Sequence, residues 1–86
     1  MIKVIKFSAT WCGPCKMLAP VYNEAKSEIS GVSFQEVDVD NDSASAIKYN
    51  VRSVPTIVIE KDGNEVKRIS GMTSKPALIS LINSIK

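Results

Sequence analysis

Cys12 and Cys15 are the only cysteines in this chain, and they stand three positions apart. They sit in Trp11-Cys12-Gly13-Pro14-Cys15-Lys16, between a short β-branched stretch and a long amphipathic one. A CxxC pair can supply half of a zinc site, staple a loop or cycle between dithiol and disulfide. One pair cannot complete a four-cysteine zinc site within one chain. It is also a poor staple, because closing so small a loop removes little chain entropy. Redox cycling has physical support at the start of a helix, where unpaired N–H groups and the positive dipole end stabilise a thiolate at Cys12. Pro14 lacks an N–H, but a first-turn residue has no intrahelical use for one. Gly13 leaves room for another chain to approach the sulfur. Cys15, about one turn along, is within bonding reach of Cys12. The expectation is an exposed Cys12 nucleophile with Cys15 as the more buried resolving thiol.

The elements that must position this pair follow from the spacing of apolar residues. Residues 2–7 predict a strand with Ile2 and Val4 on one face and Ile5 and Phe7 on the other, hence buried on both sides. Residues 12–29 predict a helix whose stripe is Leu18, Val21, Tyr22, Ala25 and Ile29, kinked at Pro20 and ended by Gly31. A second strand is expected over 33–39. A short helix follows over 42–49, capped by Asn41 or Asp42 and containing Ala44, Ala46, Ile47 and Tyr49, with a left-handed Asn50 after it. Residues 56–60 and 65–70 form a hairpin about Asp62-Gly63. The last helix runs over 74–85, capped by Ser74, with Leu78, Leu81, Ile82 and Ile85 as its stripe. The order βαβαββα gives an α/β fold, a four-stranded mixed sheet flanked by three helices. Residues 1–86 are expected to form a single domain, with no linker or repeat.

Composition narrows the chemistry. The 86 residues are 44% apolar and 23% charged, a globular balance. The net charge of +2 argues against dedicated nucleic-acid binding, which needs a concentrated basic face. No apolar run is long enough for a membrane span, and Lys3 and Lys6 break up the opening stretch where a signal peptide would lie. A cytoplasmic address and no membrane partner are expected. The chain has no histidine, so the usual catalytic base, the commonest metal ligand and the haem-attachment pattern are all missing.

WCGPCK resembles the active-site motif of the thioredoxin family. The resemblance continues through Lys16-Met17-Leu18-Ala19-Pro20, Val37-Asp38-Val39-Asp40, Lys48 to Thr56, Asp62-Gly63 and Gly71, in order along nearly the whole chain. It implies a thioredoxin fold and thiol–disulfide oxidoreduction of protein disulfides, with no bound cofactor and with recycling by an NADPH-dependent reductase. A monomer is expected. It also implies roles: Cys12 as attacking thiolate, Cys15 as resolving thiol, and Pro55 as the family's cis-proline facing the dithiol. Sequence alone shows only that Val54-Pro55 precedes a strand, and an ordinary X–Pro bond is trans. Trp11, Gly13, Pro14, Val54, Pro55, Gly71 and Met72 would form the docking surface for substrate. The chain departs from the family in size, lacking the usual N-terminal strand and helix. In this it is closer to glutaredoxins and to short phage or archaeal thioredoxins. A glutathione-coupled, glutaredoxin-like reductase is the alternative, opposed by CGPC and Trp11.

Two charges depart as well. Thioredoxins typically carry a buried aspartate six residues before the first cysteine, where this chain has Lys6. They tend to carry a lysine nineteen residues before the cis-proline, where this chain has Glu36. Unpaired burial of an ammonium is costly, so Lys6 and Glu36 are expected to form an inverted ion pair behind the dithiol. The alternative is a narrower sheet, with Lys6 snorkelling to solvent and Glu36 simply exposed. On mechanism, Glu36 or a neutral Lys6 would assist proton transfer at Cys15, or a charged Lys6 would favour the thiolate and make the disulfide more oxidising. Ser8 stands where the family commonly has tryptophan, which loosens the surroundings of the dithiol.

Overall fold

Four strands and three helices position the CxxC segment in a computed structural model describing residues 1–86. The strands are β1 (Ile2–Ser8), β2 (Val32–Asp38), β3 (Thr56–Lys61) and β4 (Asn64–Ser70). The helices are α1 (Gly13–Glu28), α2 (Ser43–Lys48) and α3 (Lys75–Ile85). Strand order is β2-β1-β3-β4. β1 runs parallel to β2 and antiparallel to β3, and β4 returns antiparallel to β3. The expected four-stranded mixed sheet with three helices is the observed one.

β1 is central because both its faces are apolar. Ile2 and Val4 join Leu18, Tyr22, Ile57, Ile59, Leu78 and Ile82 in the main core, beneath α1 and α3. Ile5, Phe7 and Val58 form a smaller cluster on the opposite face, with Tyr49 and Val51 packed against it. The helical stripes explain the imbalance. α1 buries Leu18, Tyr22 and Ala25 and α3 buries Leu78 and Ile82, whereas no residue of α2 is buried. Ile47, expected within α2, is there but points outward, 78% exposed. So short a helix has one usable face, and Ala46 is the smaller residue that turns inward.

Helix ends follow local chemistry. Asp42 caps α2 by accepting from the Ser45 N–H, and Ser74 caps α3 by accepting from the Ala77 N–H. Asn50, just after α2, has φ +54°, the left-handed stop expected of asparagine. α1 ends differently from the expectation. Ile29 is already extended, and its N–H reaches back to the Ala25 carbonyl. Gly31, at φ +76°, instead turns the chain into β2. The β3–β4 connection is the two-residue Asp62-Gly63 turn, with both residues left-handed, the geometry whose twist matches that of the strands.

Tyr22 fastens α1 to the sheet. Its hydroxyl lies 3.0 Å from the Val4 carbonyl and 2.6 Å from that of Gln35, so it bridges β1 and β2. Burial, helped by the Glu36 carboxylate, pushes its ionisation well above the usual tyrosine range.

Candidate active site

The chain leaves β1 at Ser8, and Cys12 caps α1. Its Sγ accepts from the Cys15 N–H at 3.2 Å, one of the amides that a helix start leaves unpaired. This is the favourable thiolate environment that the sequence anticipates at a strand-to-helix junction. Cys12 and Cys15 form a disulfide, with Cα atoms 5.3 Å apart. Their expected contrast in exposure is absent from this oxidised form: Cys12 is 5% and Cys15 4% exposed. Ala9, Val39 and Val54 enclose both, so neither sulfur stands out from the surface.

What separates the two cysteines is what they face. Cys12 Sγ lies 3.8 Å from the Val54 carbonyl oxygen. The Val54–Pro55 peptide bond is cis. The Pro55 carbonyl accepts from the Gly71 N–H at 2.8 Å, and Thr56 Oγ1 donates to the Ser53 carbonyl at 2.7 Å. Gly71 has φ +92°, a conformation open to glycine and strained for other residues. Three segments separated in sequence thus converge: 11–15, 53–56 and 71–72. Trp11 is 68% exposed beside them, its indole Nε1 donating to Asp40 Oδ2 at 2.8 Å. Gly13 and Pro14 are exposed at the first turn of α1, Met72 is exposed beyond Gly71, and Pro55 is buried. An apolar cleft of about 150 Å³ opens between Trp11, Val39, Val51 and Val54.

Cys15 faces the other way. It lines a second, open cleft of about 310 Å³ with Lys6, Ser8, Thr10 and Lys16. Lys6 is 3% exposed, and its Nζ stands 2.8 Å from Glu36 Oε1. The same Nζ lies 5.0 Å from the centre of the Tyr22 ring, a cation–π contact on its apolar side. The inverted pair therefore forms, and the alternative in which Lys6 snorkels free does not describe it. One part of that alternative holds: β2 is an edge strand, and the Glu36 side chain is 56% exposed. Water thus shares the solvation of the carboxylate, while the lysine is enclosed.

Several site contacts were not legible in sequence. Asp40 gave no sign that it would hold the Trp11 indole. Thr56 read as an ordinary strand residue, yet its hydroxyl ties down the loop before it. Arg68 lies in the strand expected over 65–70, and nothing in its position there signals that it donates to the Tyr49 and Asn50 carbonyls. Each bond spans elements whose proximity only the fold creates.

Comparison with known proteins agrees with this geometry. The thioredoxin family model matches residues 1–84. The thioredoxin of Chlamydia caviae is 48% identical over 80 residues, spanning 93% of this chain and 78% of that protein. The thioredoxin of Staphylococcus epidermidis is 40% identical over 83 residues, spanning 95% and 80%. Among solved structures, Fasciola hepatica thioredoxin superposes with a TM-score of 0.91 at 42% identity, over 99% of this chain and 81% of that one. A mutant thioredoxin from Halobacterium salinarum gives 0.87 at 41%, over 96% and 73%. These relatives do not favour the glutaredoxin-like alternative. A Cys12–Cys15 disulfide at the head of α1, in this fold and among these relatives, makes the chain a thiol–disulfide oxidoreductase that belongs to the thioredoxin family.

Proposed function

We propose that the protein reduces protein disulfides, with Cys12 as attacking thiolate and Cys15 as resolving thiol. The observation that carries this assignment is that Cys12 Sγ lies against the Val54 carbonyl and accepts from the Cys15 N–H at the start of α1, while Cys15 lines the Lys6 cleft. The Cys12 thiolate attacks one substrate sulfur, forming a mixed disulfide and expelling the other as thiolate. The Cys15 thiolate then attacks Cys12 Sγ. That bond forms as the mixed disulfide breaks, the second substrate thiolate leaves, and two electrons have passed to the substrate. A separate NADPH-dependent reductase of the thioredoxin-reductase type returns the pair to dithiol.

Trp11, Gly13, Pro14, Val54, Pro55, Gly71 and Met72 form the docking surface in this reading. An extended substrate segment pairs with the Val54 backbone, and its side chains rest on the exposed apolar residues around it. Lys6 and Glu36 set the charge behind Cys15. Residues 1–86 act as one monomeric domain. A cytoplasmic, reducing setting suits a dithiol that must be kept reduced.

The test is mechanism-based trapping with insulin as the disulfide substrate. Cys15→Ser should accumulate a mixed disulfide through Cys12, visible as a covalent adduct on a non-reducing gel. Cys12→Ser should accumulate none. The reverse pattern would exchange the two roles, and no adduct in either variant would remove the reductase reading.

A further inference from the structure

Loop 49–55 carries Val54 to the disulfide, and its two ends are held by different means. The far end is fixed within the site, by Thr56 Oγ1 on the Ser53 carbonyl and by the Gly71 N–H on the Pro55 carbonyl. The near end leaves α2, a helix of six residues. So short a helix is marginal without tertiary support. The Tyr49, Asn50 and Val51 N–H groups close its last turn on the Ser45, Ile47 and Ala46 carbonyls, which leaves the Tyr49 and Asn50 carbonyls just past it to find donors elsewhere.

Arg68 supplies them from β4. Its Nη2 donates to the Tyr49 carbonyl at 2.5 Å and its Nη1 to the Asn50 carbonyl at 3.3 Å. Glu65 holds the guanidinium in place, accepting from Nε at 2.8 Å and from Nη2 at 2.7 Å. The two groups alter each other's ionisation. The Arg68 hydrogen bond keeps the Glu65 carboxyl below the usual range, and Glu65 pushes the guanidinium up. Sheet register explains the reach. Arg68 is the partner of Val58, which belongs to the cluster against which Tyr49 and Val51 pack. A rigid planar fork can hold a carboxylate through two bonds and still serve two carbonyls; an ammonium, with three donors on one atom, cannot make all four bonds. A cation at the end of a helix is also favoured by the dipole.

We propose that Arg68, held by Glu65, is a positioning residue for exchange with protein substrates. It fixes the start of loop 49–55, so that Val54 and the wall of the cleft beside Trp11 are presented in one geometry. Arg68 touches no sulfur. Its loss therefore acts on docking and leaves the chemistry of the dithiol to itself. This inference rests on the docking surface of the proposed function.

The experiment compares wild type, Arg68→Gln, Arg68→Lys and Glu65→Gln in the full chain, with steady-state kinetics on insulin and on a small aromatic disulfide. For Arg68→Gln, kcat/KM on insulin should fall about tenfold, mostly through KM, with the small disulfide changed by about twofold or less. The Cys12–Cys15 potential should not move. Arg68→Lys should recover part of the loss, and Glu65→Gln should show the same split at smaller amplitude. Unchanged kinetics on insulin, or equal losses on both substrates that track a fall in Tm, would overturn the positioning role. Should Arg68→Gln fail to fold, absence of the split in the other two variants overturns it equally. Wild type inactive on both disulfides would instead remove the proposed function itself.

Discussion

Lys6 and Glu36 are direct partners in the parallel register of β1 and β2, and their side chains meet at 2.8 Å with the ammonium enclosed and the carboxylate half in water. The pairing is a consequence of register. A slip of one residue would turn one of the two side chains to the opposite face of the sheet. The pair lies behind the dithiol, since Lys6 lines the same cleft as Cys15.

The two halves of this pair should shift the dithiol in opposite directions. A positive charge near Cys15 favours the thiolate and so the reduced form. Lys6→Met removes that charge and should make the couple more reducing. Glu36→Gln leaves the ammonium without its counter-charge and should make the couple more oxidising. A change of about tenfold in the equilibrium constant corresponds to ~30 mV. Equilibration against glutathione buffers measures both. Shifts of the same sign would mean that the pair acts only through packing.

Tyr22→Phe should destabilise the fold by about 1–3 kcal/mol, because the Val4 and Gln35 carbonyls lose their shared donor. The same hydroxyl gives a pH dependence of definite sign. Burial raises its pKa in the folded state above the unfolded value. Its contribution is therefore complete below about pH 10 and is lost as the pH rises beyond that through the folded value. Urea midpoints for wild type and Tyr22→Phe, measured near neutrality and at strongly alkaline pH, test this. The wild type should lose more stability on alkalinisation than the variant. Tyr49, whose ionisation burial also raises, is common to both and cancels in the difference.

Leu18 and Ile47 make a matched contrast of burial. Leu18 is fully buried between α1 and the sheet, so Leu18→Ala should cost about 2–5 kcal/mol, read as a lower urea midpoint with an unchanged m-value. Ile47 faces solvent, and Ile47→Ala should stay within about 0.5 kcal/mol of wild type. A large loss at Ile47 would mean that its face of α2 is covered in solution.

Periodicity and local chemistry decided most of this protein. The two apolar faces of Ile2–Ser8 require a strand covered on both sides. The stripes Leu18-Tyr22-Ala25 and Leu78-Ile82 require helices lying on a sheet. Asp42, Ser74, Asn50 and Asp62-Gly63 mark element ends through bonds and dihedrals that involve only near neighbours. The CGPC junction carries its chemistry for the same reason, since a helix start stabilises a thiolate whatever the rest of the chain does. Tertiary structure decided what depends on distance across elements. It set the Lys6–Glu36 contact through strand register, enclosed Cys12 as fully as Cys15, joined Trp11 to Asp40, and brought Arg68 from β4 to the loop that faces the disulfide. Long-range hydrogen bonds and ion pairs have no periodicity to announce them. They exist only where the packed core has already set two backbones a few ångströms apart.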